Sequence, residues 1–167
     1  MSRDPGLRVG TGFDVHPFAD GRPLVIGGVV VAHERGLAGH SDADVLSHAI
    51  CDALLGAAAL GDIGRHFPDS DPAFRGISSL ELLRRTVAIL AAAGWSPLQV
   101  DTCILAEVPR IAPHEPAMRE AIAAALGVPA GCVGIKATTT EGLGFVGRRE
   151  GIAAQAVCLI VRSAGTP

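Results

Sequence analysis

In Gly12-Phe13-Asp14-Val15-His16 a carboxylate and an imidazole stand two residues apart. Successive side chains of an extended strand alternate between faces, so Asp14 and His16 project from one side, with Val15 expected buried behind them. A second stretch, His40-Ser41-Asp42-Ala43-Asp44-Val45-Leu46-Ser47-His48, adds another imidazole. With Ser41 capping a helix and Asp44 at its third position, closing a capping-box-like pair, Asp44 and His48 lie four apart on one face. His48 is then the third ligand of a site containing Asp14 and His16. Two imidazoles and one carboxylate leave the fourth position of a tetrahedral zinc ion open, the pattern of a catalytic metal. The same donors suit non-haem iron, so the ligand set does not name the metal.

A third stretch, Lys136-Ala137-Thr138-Thr139-Thr140-Glu141-Gly142-Leu143-Gly144-Phe145-Val146-Gly147-Arg148-Arg149-Glu150-Gly151, concentrates hydroxyls, glycines and cations. Backbone amides and threonine hydroxyls there suit phosphate oxygens, and Arg148 adds a forked, charge-assisted contact. Glu141, beside such a cradle, is placed to hold a second divalent ion against a diphosphate. Neither the P-loop spacing nor a GxGxxG opening a helix is present, which disfavours the generic nucleotide folds. Arg149 reads as a solvated turn. Cys51 reads as a core residue of an Ala/Leu-rich helix rather than a thiolate ligand.

The elements that must position these groups follow from the pattern. Residues Arg8–His16 form a first strand, and Pro23–Ala32 a hairpin turning at Gly27-Gly28. Asp42–Leu60 is an Ala/Leu-rich helix ending at Gly61, and Gly61–Pro72 a long loop bent by Gly and Pro. Ser78 and Glu81 make a capping box for a helix through Ala93, with Leu82, Leu83, Thr86 and Leu90 facing inward. Val100–Glu107, Val133–Thr138 and Ile152–Val161 are further strands, and Pro113–Leu126 a third helix. The expected fold is α/β or α+β: one domain over residues 1–167, with 1–7 and 163–167 flexible, a mixed sheet with helices on one face, and a protruding N-terminal hairpin.

The chain has 167 residues, a net charge of −3 and no basic run, which argues against nucleic acid or an anionic membrane as partner. Its four cysteines lie far apart without a CxxC pair, as in a reducing cytoplasm. Met1–Gly6 carries no apolar signal core, and the apolar runs are too short to span a bilayer, so a soluble, cytoplasmic protein is expected. Aromatics are 4%, tyrosine is absent and Gly numbers 21. Such small residues leave little bulky core volume, so apolar surface is expected to be buried between subunits, with dimer or trimer contacts covering the second sheet face.

Five blocks carry a resemblance. Gly12-Phe13-Asp14-Val15-His16, His40-Ser41-Asp42-x-Asp44, Ala58-Ala59-Leu60-Gly61-Asp62-Ile63-Gly64, Phe67-Pro68-Asp69-x-Asp71-Pro72 and Lys136-Ala137-Thr138-Thr139-Thr140-Glu141 occur in the order and spacing of the 2-C-methyl-D-erythritol 2,4-cyclodiphosphate synthase family. From Arg8 to Arg162 the chain resembles that family. The resemblance implies a homotrimer with active sites at the subunit interfaces, and zinc on Asp14, His16 and His48. It implies that Asp62, Ile63, Gly64, Phe67, Pro68, Asp69, Ser70 and Asp71 hold a methylerythritol group, with Val15 and Ser41 also at the substrate. Ala106, Glu107, Val108, Pro109, Arg110, Ile111 and Ala112, with Thr138, Thr139, Thr140 and Glu141, would hold cytidine and its phosphates from a neighbouring subunit. His40 and Thr139 correspond to residues that stabilise the transition state, Glu141 to the ligand of magnesium or manganese, and Phe145 and Arg148 to further ligand contacts. Gly142, Val146 and Arg149 depart from the Lys, Thr and Gly expected of the family.

The implied reaction is intramolecular. The 2-phosphate of 4-diphosphocytidyl-2-C-methyl-D-erythritol 2-phosphate attacks the β-phosphorus, closing a ring and expelling CMP, so no strong protein nucleophile is required. Two other readings use the same residues: a two-His-one-carboxylate iron oxygenase, and a trimeric protein that binds isoprenoid diphosphates without turnover.

Overall fold

Strands and Ala-rich helices interleave along the chain in the computed structural model, which describes residues 6–163. The strands are β1 (Leu7–Ala19), β2 (Leu24–Ile26), β3 (Val29–Val31), β4 (Gly36–Leu37), β5 (Trp95–Leu105), β6 (Val133–Thr138) and β7 (Gly151–Arg162); the helices are α1 (Val45–Ala57), α2 (Ile63–His66), α3 (Ser79–Ala92), α4 (Glu115–Leu126) and α5 (Gly144–Gly147). The main sheet runs β4-β1-β7-β5-β6, with β5 and β6 parallel and the other pairs antiparallel. β2 and β3 form a hairpin outside that sheet, and Gly27 and Gly28 turn it at φ of +58° and +74°. Its Leu24 and Ile26 are fully buried. No helix among the described residues is long and apolar enough to cross a membrane.

Close approach of α1 to β1 builds the site. On the inward face of β1 an added Cβ at Gly10 would lie 2.1 Å from the Ala53 carbonyl oxygen, and one at Gly12 2.0 Å from that of Ala49. Ala49, Ala53 and Ala57 recur every four residues, so one smooth helix face rests directly on the strand. Asp14 and His16 continue that face of β1, and His48 sits beside Ala49 at the start of α1. Because the obstacle is helix backbone and not a mobile side chain, Gly12→Ala is expected to destabilise the protein by about 1–3 kcal/mol. Denaturant unfolding measures this, and an unchanged midpoint would contradict direct helix-on-strand packing.

Several expectations are corrected. Val15 is 44% exposed, because it points away from α1 with Leu7, Val9 and Phe13 into an apolar row on the other sheet face. The first long helix starts at Val45, not Asp42, and its N-cap is Asp44, not Ser41. Asp44 accepts from the amides of Leu46 and Ser47, and also from Gly27 and Gly28, which ties the hairpin turn to the helix. Ser78 makes no side-chain cap bond; Asp42, far back in the chain, accepts from the Ser79 amide at 3.0 Å instead, and Glu81 pairs with Arg84 and Arg85. The long loop contains the single turn of α2 and a 3₁₀ turn at Pro72–Phe74. Of the ends expected to be flexible, residues 1–5 and 164–167 lie outside the described residues. Leu7 opens β1, and Ser163 is held by Gly94 and Ser96.

Candidate metal centre and cleft

Among the described residues, Asp14, His16 and His48 form the one group of three side chains with metal-ligand chemistry converging on a point. His16 Nε2 lies 2.8 Å from Asp14 Oδ2 and 3.0 Å from His48 Nδ1, and the third side of the triangle is 3.1 Å. Ligands about 2.0–2.1 Å from a tetrahedral zinc are about 3.3 Å apart, so these donors fit such an ion with a slight opening of the triangle. His16 Nδ1 donates to the Ala38 carbonyl at 2.6 Å, which directs Nε2 toward the centre. Burial opposes ionisation of Asp14, but hydrogen bonds and charges from both histidines outweigh it and hold the carboxyl well below the usual carboxylate range. Burial works against His16 likewise, yet the Asp14 carboxylate raises its pKa. The centre thus holds an anion that attracts either a proton or a metal cation.

The triad opens into a cleft of about 340 Å³. His40 and Ser41 border it on the triad's side, and Ile63, Gly64, Phe67, Pro68 and Asp69 face them. Ala43, at φ of 59°, makes the left-handed turn that carries the His40 segment into α1, and its amide is held by the Ser41 hydroxyl at 3.1 Å. His40 Nε2 reaches the Asp71 carbonyl at 3.4 Å. Asp62 accepts from the Arg65 amide at 2.9 Å and caps α2, while Asp71 accepts from Ala73. Asp62, Ser70 and Asp71 therefore shape the wall, although their side chains do not line the cleft.

Sequence reasoning missed three groups that hold this wall. Arg22 donates to the carbonyls of Gly39 and Ser41, at 2.6 and 2.5 Å, and so clamps both sides of His40. Asp52 accepts from the Ile63 amide at 2.7 Å, pinning the start of α2 to α1. Ser79 contacts His48. Each partner pair is separated by 11 or more residues, so no local spacing rule signals it.

The second group of expected residues lies elsewhere in the same chain. Glu107 Oε1 accepts from the Thr140 amide and hydroxyl and from the Gly142 amide, at 2.9, 3.2 and 3.3 Å, which locks the Ala106–Ala112 segment to the turn after β6. Thr139 donates to Glu141 at 3.0 Å, and both are exposed. Ile111 and Ala112 line a separate cleft with Lys136 and Ala137. Val15, Ala153, Leu105 and Thr138 share one cross-strand row, so this cluster sits at the same end of the sheet as the triad. Three strand spacings, about 14 Å, separate them. Arg148 forms a two-bond pair with Glu150, and Phe145 lines an apolar hollow with Phe13 and Leu143. Of the departing residues, Gly142 occupies φ of 79° without strain, whereas Arg149 is held at 57°. Burial pushes the Cys51 thiol up to about 12, consistent with a protonated core residue.

A mixed sheet with helices over one face and an Asp-His-His centre at its edge define the class: the chain belongs to the YgbB family, whose model matches residues 7–161. It is 62% identical over 154 residues to the 2-C-methyl-D-erythritol 2,4-cyclodiphosphate synthase of Syntrophobacter fumaroxidans, covering 92% of this chain and 97% of that one. A solved synthase of the same name in its CDP-bound form is 36% identical, with a TM-score of 0.84 over 92% of this chain and 99% of that one. The bifunctional IspDF of Campylobacter jejuni is 41% identical at a TM-score of 0.90 over 93% of this chain, which spans only 42% of that longer protein. These relatives favour neither the iron oxygenase nor the non-catalytic binding protein.

Proposed function

We propose that this chain converts 4-diphosphocytidyl-2-C-methyl-D-erythritol 2-phosphate into 2-C-methyl-D-erythritol 2,4-cyclodiphosphate and CMP, in isoprenoid precursor biosynthesis. The observation that carries the reading is the Asp14–His16–His48 triangle at the mouth of a cleft walled by Ile63 to Asp69, in a chain of this family. Asp14, His16 and His48 would hold zinc, and Glu141 would hold magnesium or manganese. Bound there, the two ions supply positive charge that polarises phosphate oxygens and offsets charge on the departing CMP.

The remaining work falls to the chain's own groups. A flexible substrate with two anionic reacting groups must be folded so that they meet, which converts binding energy into proximity. Asp62 to Gly64 and Phe67 to Asp71 would seat the methylerythritol part, and Ser41 beside His48 would donate its hydroxyl to a phosphate oxygen. His40, steadied by the Arg22 clamp, would hydrogen-bond the reacting phosphate; Thr139 would do so from the opposite side. Ala106 to Ala112 and Thr138 to Glu141 would seat the cytidine and its diphosphate, with Phe145 and Arg148 as outer contacts.

A homotrimer with shared sites is part of the proposal. The two clusters lie about 14 Å apart within a chain, and Leu7, Val9, Phe13 and Val15 lie exposed in an apolar row along β1 on the second sheet face. Packing those faces together brings one subunit's Thr139 cluster to its neighbour's triad. The chain is taken as one domain, and a cytoplasmic location fits its widely spaced free cysteines.

Phosphorus NMR of the purified protein with substrate and magnesium tests the reaction. Signals of a cyclic diphosphate and CMP are expected, are lost after zinc is stripped by a chelator, and return on zinc addition. Substrate left untouched by the zinc-loaded protein would leave a ligand-binding fold without turnover.

A further inference from the structure

Behind the metal centre, away from the cleft, His48 Nε2 lies 2.9 Å from the Ser79 hydroxyl. Ser79 is fully buried, and its hydroxyl also makes a very short hydrogen bond to Asp42 Oδ1. The proton positions follow by elimination. An ionised carboxylate only accepts, so the single Ser79 hydroxyl proton goes to Asp42. Ser79 Oγ then offers His48 a lone pair alone, and Nε2 must be the donor. A neutral imidazole carries one N–H, so His48 Nδ1, which faces Asp14 and His16, is left with its lone pair free for a cation. Ser41 Oγ, 3.0 Å from the same nitrogen, also lies 3.4 Å from Ser79 Oγ; with the Ser79 proton on Asp42, a Ser41–Ser79 bond has Ser41 as its donor, and Ser41 then accepts from Nε2 as well.

We infer that Asp42, acting through Ser79, is a positioning residue that locks His48 as the Nε2–H tautomer and thereby sets the affinity of the centre for its divalent ion. The inference rests on reading Asp14, His16 and His48 as a metal site. It goes beyond ligand identity: the relay joins the metal to the segment walling the cleft. Asp42 also accepts from the Ser79 amide and donates its own amide to the Ile77 carbonyl, while Gly76 donates to the His40 carbonyl. The His40–Asp42 strip and the Gly76–Ser79 strip are thus fastened to one another directly behind the metal ligand. A carboxylate that orients a ligating histidine through a hydrogen bond raises its basicity and typically contributes 10–100-fold in metal affinity.

A merely structural role has a distinct signature, because Asp42 caps α3 through the Ser79 amide. Asp42→Asn keeps an acceptor for that amide and removes the charge; Ser79→Ala keeps the amide and removes the relay. The zinc dissociation constant of each full-length protein is measured by competition with a chromophoric chelator, alongside the melting temperature without metal. Zinc binding weakened about tenfold or more in both variants, with the metal-free melting temperature of Asp42→Asn near that of the unsubstituted protein, is the expected result. Unchanged zinc affinity in Asp42→Asn overturns the relay, whatever Ser79→Ala does, and leaves Asp42 as a helix cap. Failure of the unsubstituted protein to bind zinc at all sinks the metal-site reading itself, a result separable from failure of the relay.

Discussion

Asp14→Ala is expected to lower turnover of the cytidyl substrate by about a thousandfold or more while the fold persists. Asp14 supplies the only anionic corner of the Asp14–His16–His48 triangle, and its Oδ2 contacts both imidazoles. Without it two neutral histidines face the cation alone, and the ion is bound loosely or lost. A metal that polarises a phosphoryl oxygen contributes several kcal/mol of transition-state stabilisation, and about 4 kcal/mol corresponds to that loss of rate. The fold is expected to survive because the partners of Asp14 are the two metal-centre histidines, and the packing of α1 on β1 depends on Gly10 and Gly12 instead. Circular dichroism and thermal unfolding check the fold, metal analysis the zinc content, and CMP release the rate. Retained turnover in a zinc-free Asp14→Ala protein would remove this centre from the chemistry.

The triad was legible because two short-range rules sufficed. The i, i+2 spacing of Asp14 and His16 fixes a shared strand face, and a histidine near the start of the next helix completes the set. The location of the helix start was misread by three residues without harm, because His48 stays on the first turns of α1 either way. Val15 was misread for a different reason: alternation fixes which side chains share a face but not which face the protein covers. Nothing in the strand pattern itself says whether Leu7, Val9 and Phe13 are covered. Arg22, Asp52 and Ser79 were invisible because a clamp between a hairpin and a distant loop depends on tertiary geometry. Ser78 illustrates the same limit, since a well-formed local capping signal lost to the Asp42 carboxylate delivered from 37 residues away.

Mixing two impaired variants is expected to restore activity if sites are shared between neighbours. Thr139→Ala alone should lower kcat more than it raises KM, because a hydroxyl aimed at the transferring phosphoryl group acts mainly in the transition state. On the proposed assignment, Asp14→Ala lacks the metal half of the site, and Thr139→Ala the phosphate half. The two clusters are held to the same end of one sheet by the Val15–Ala153–Leu105–Thr138 row, yet two strands, β7 and β5, lie between them. A neighbour that packs its own β6 end against this chain's triad closes that gap; the chain's own sheet, rigidly hydrogen-bonded, does not. In cyclic trimers formed at random from equal amounts of the two variants, each interface has a one-half chance of an intact triad and a one-half chance of an intact Thr139. About one quarter of sites are then complete. After co-unfolding and refolding, CMP release should rise from the level of either variant toward about 25% of the unsubstituted rate. A mixture no more active than its components would place the triad and Thr139 in the same chain's site, and would require the Thr138–Glu141 turn to swing across the sheet to reach the metal.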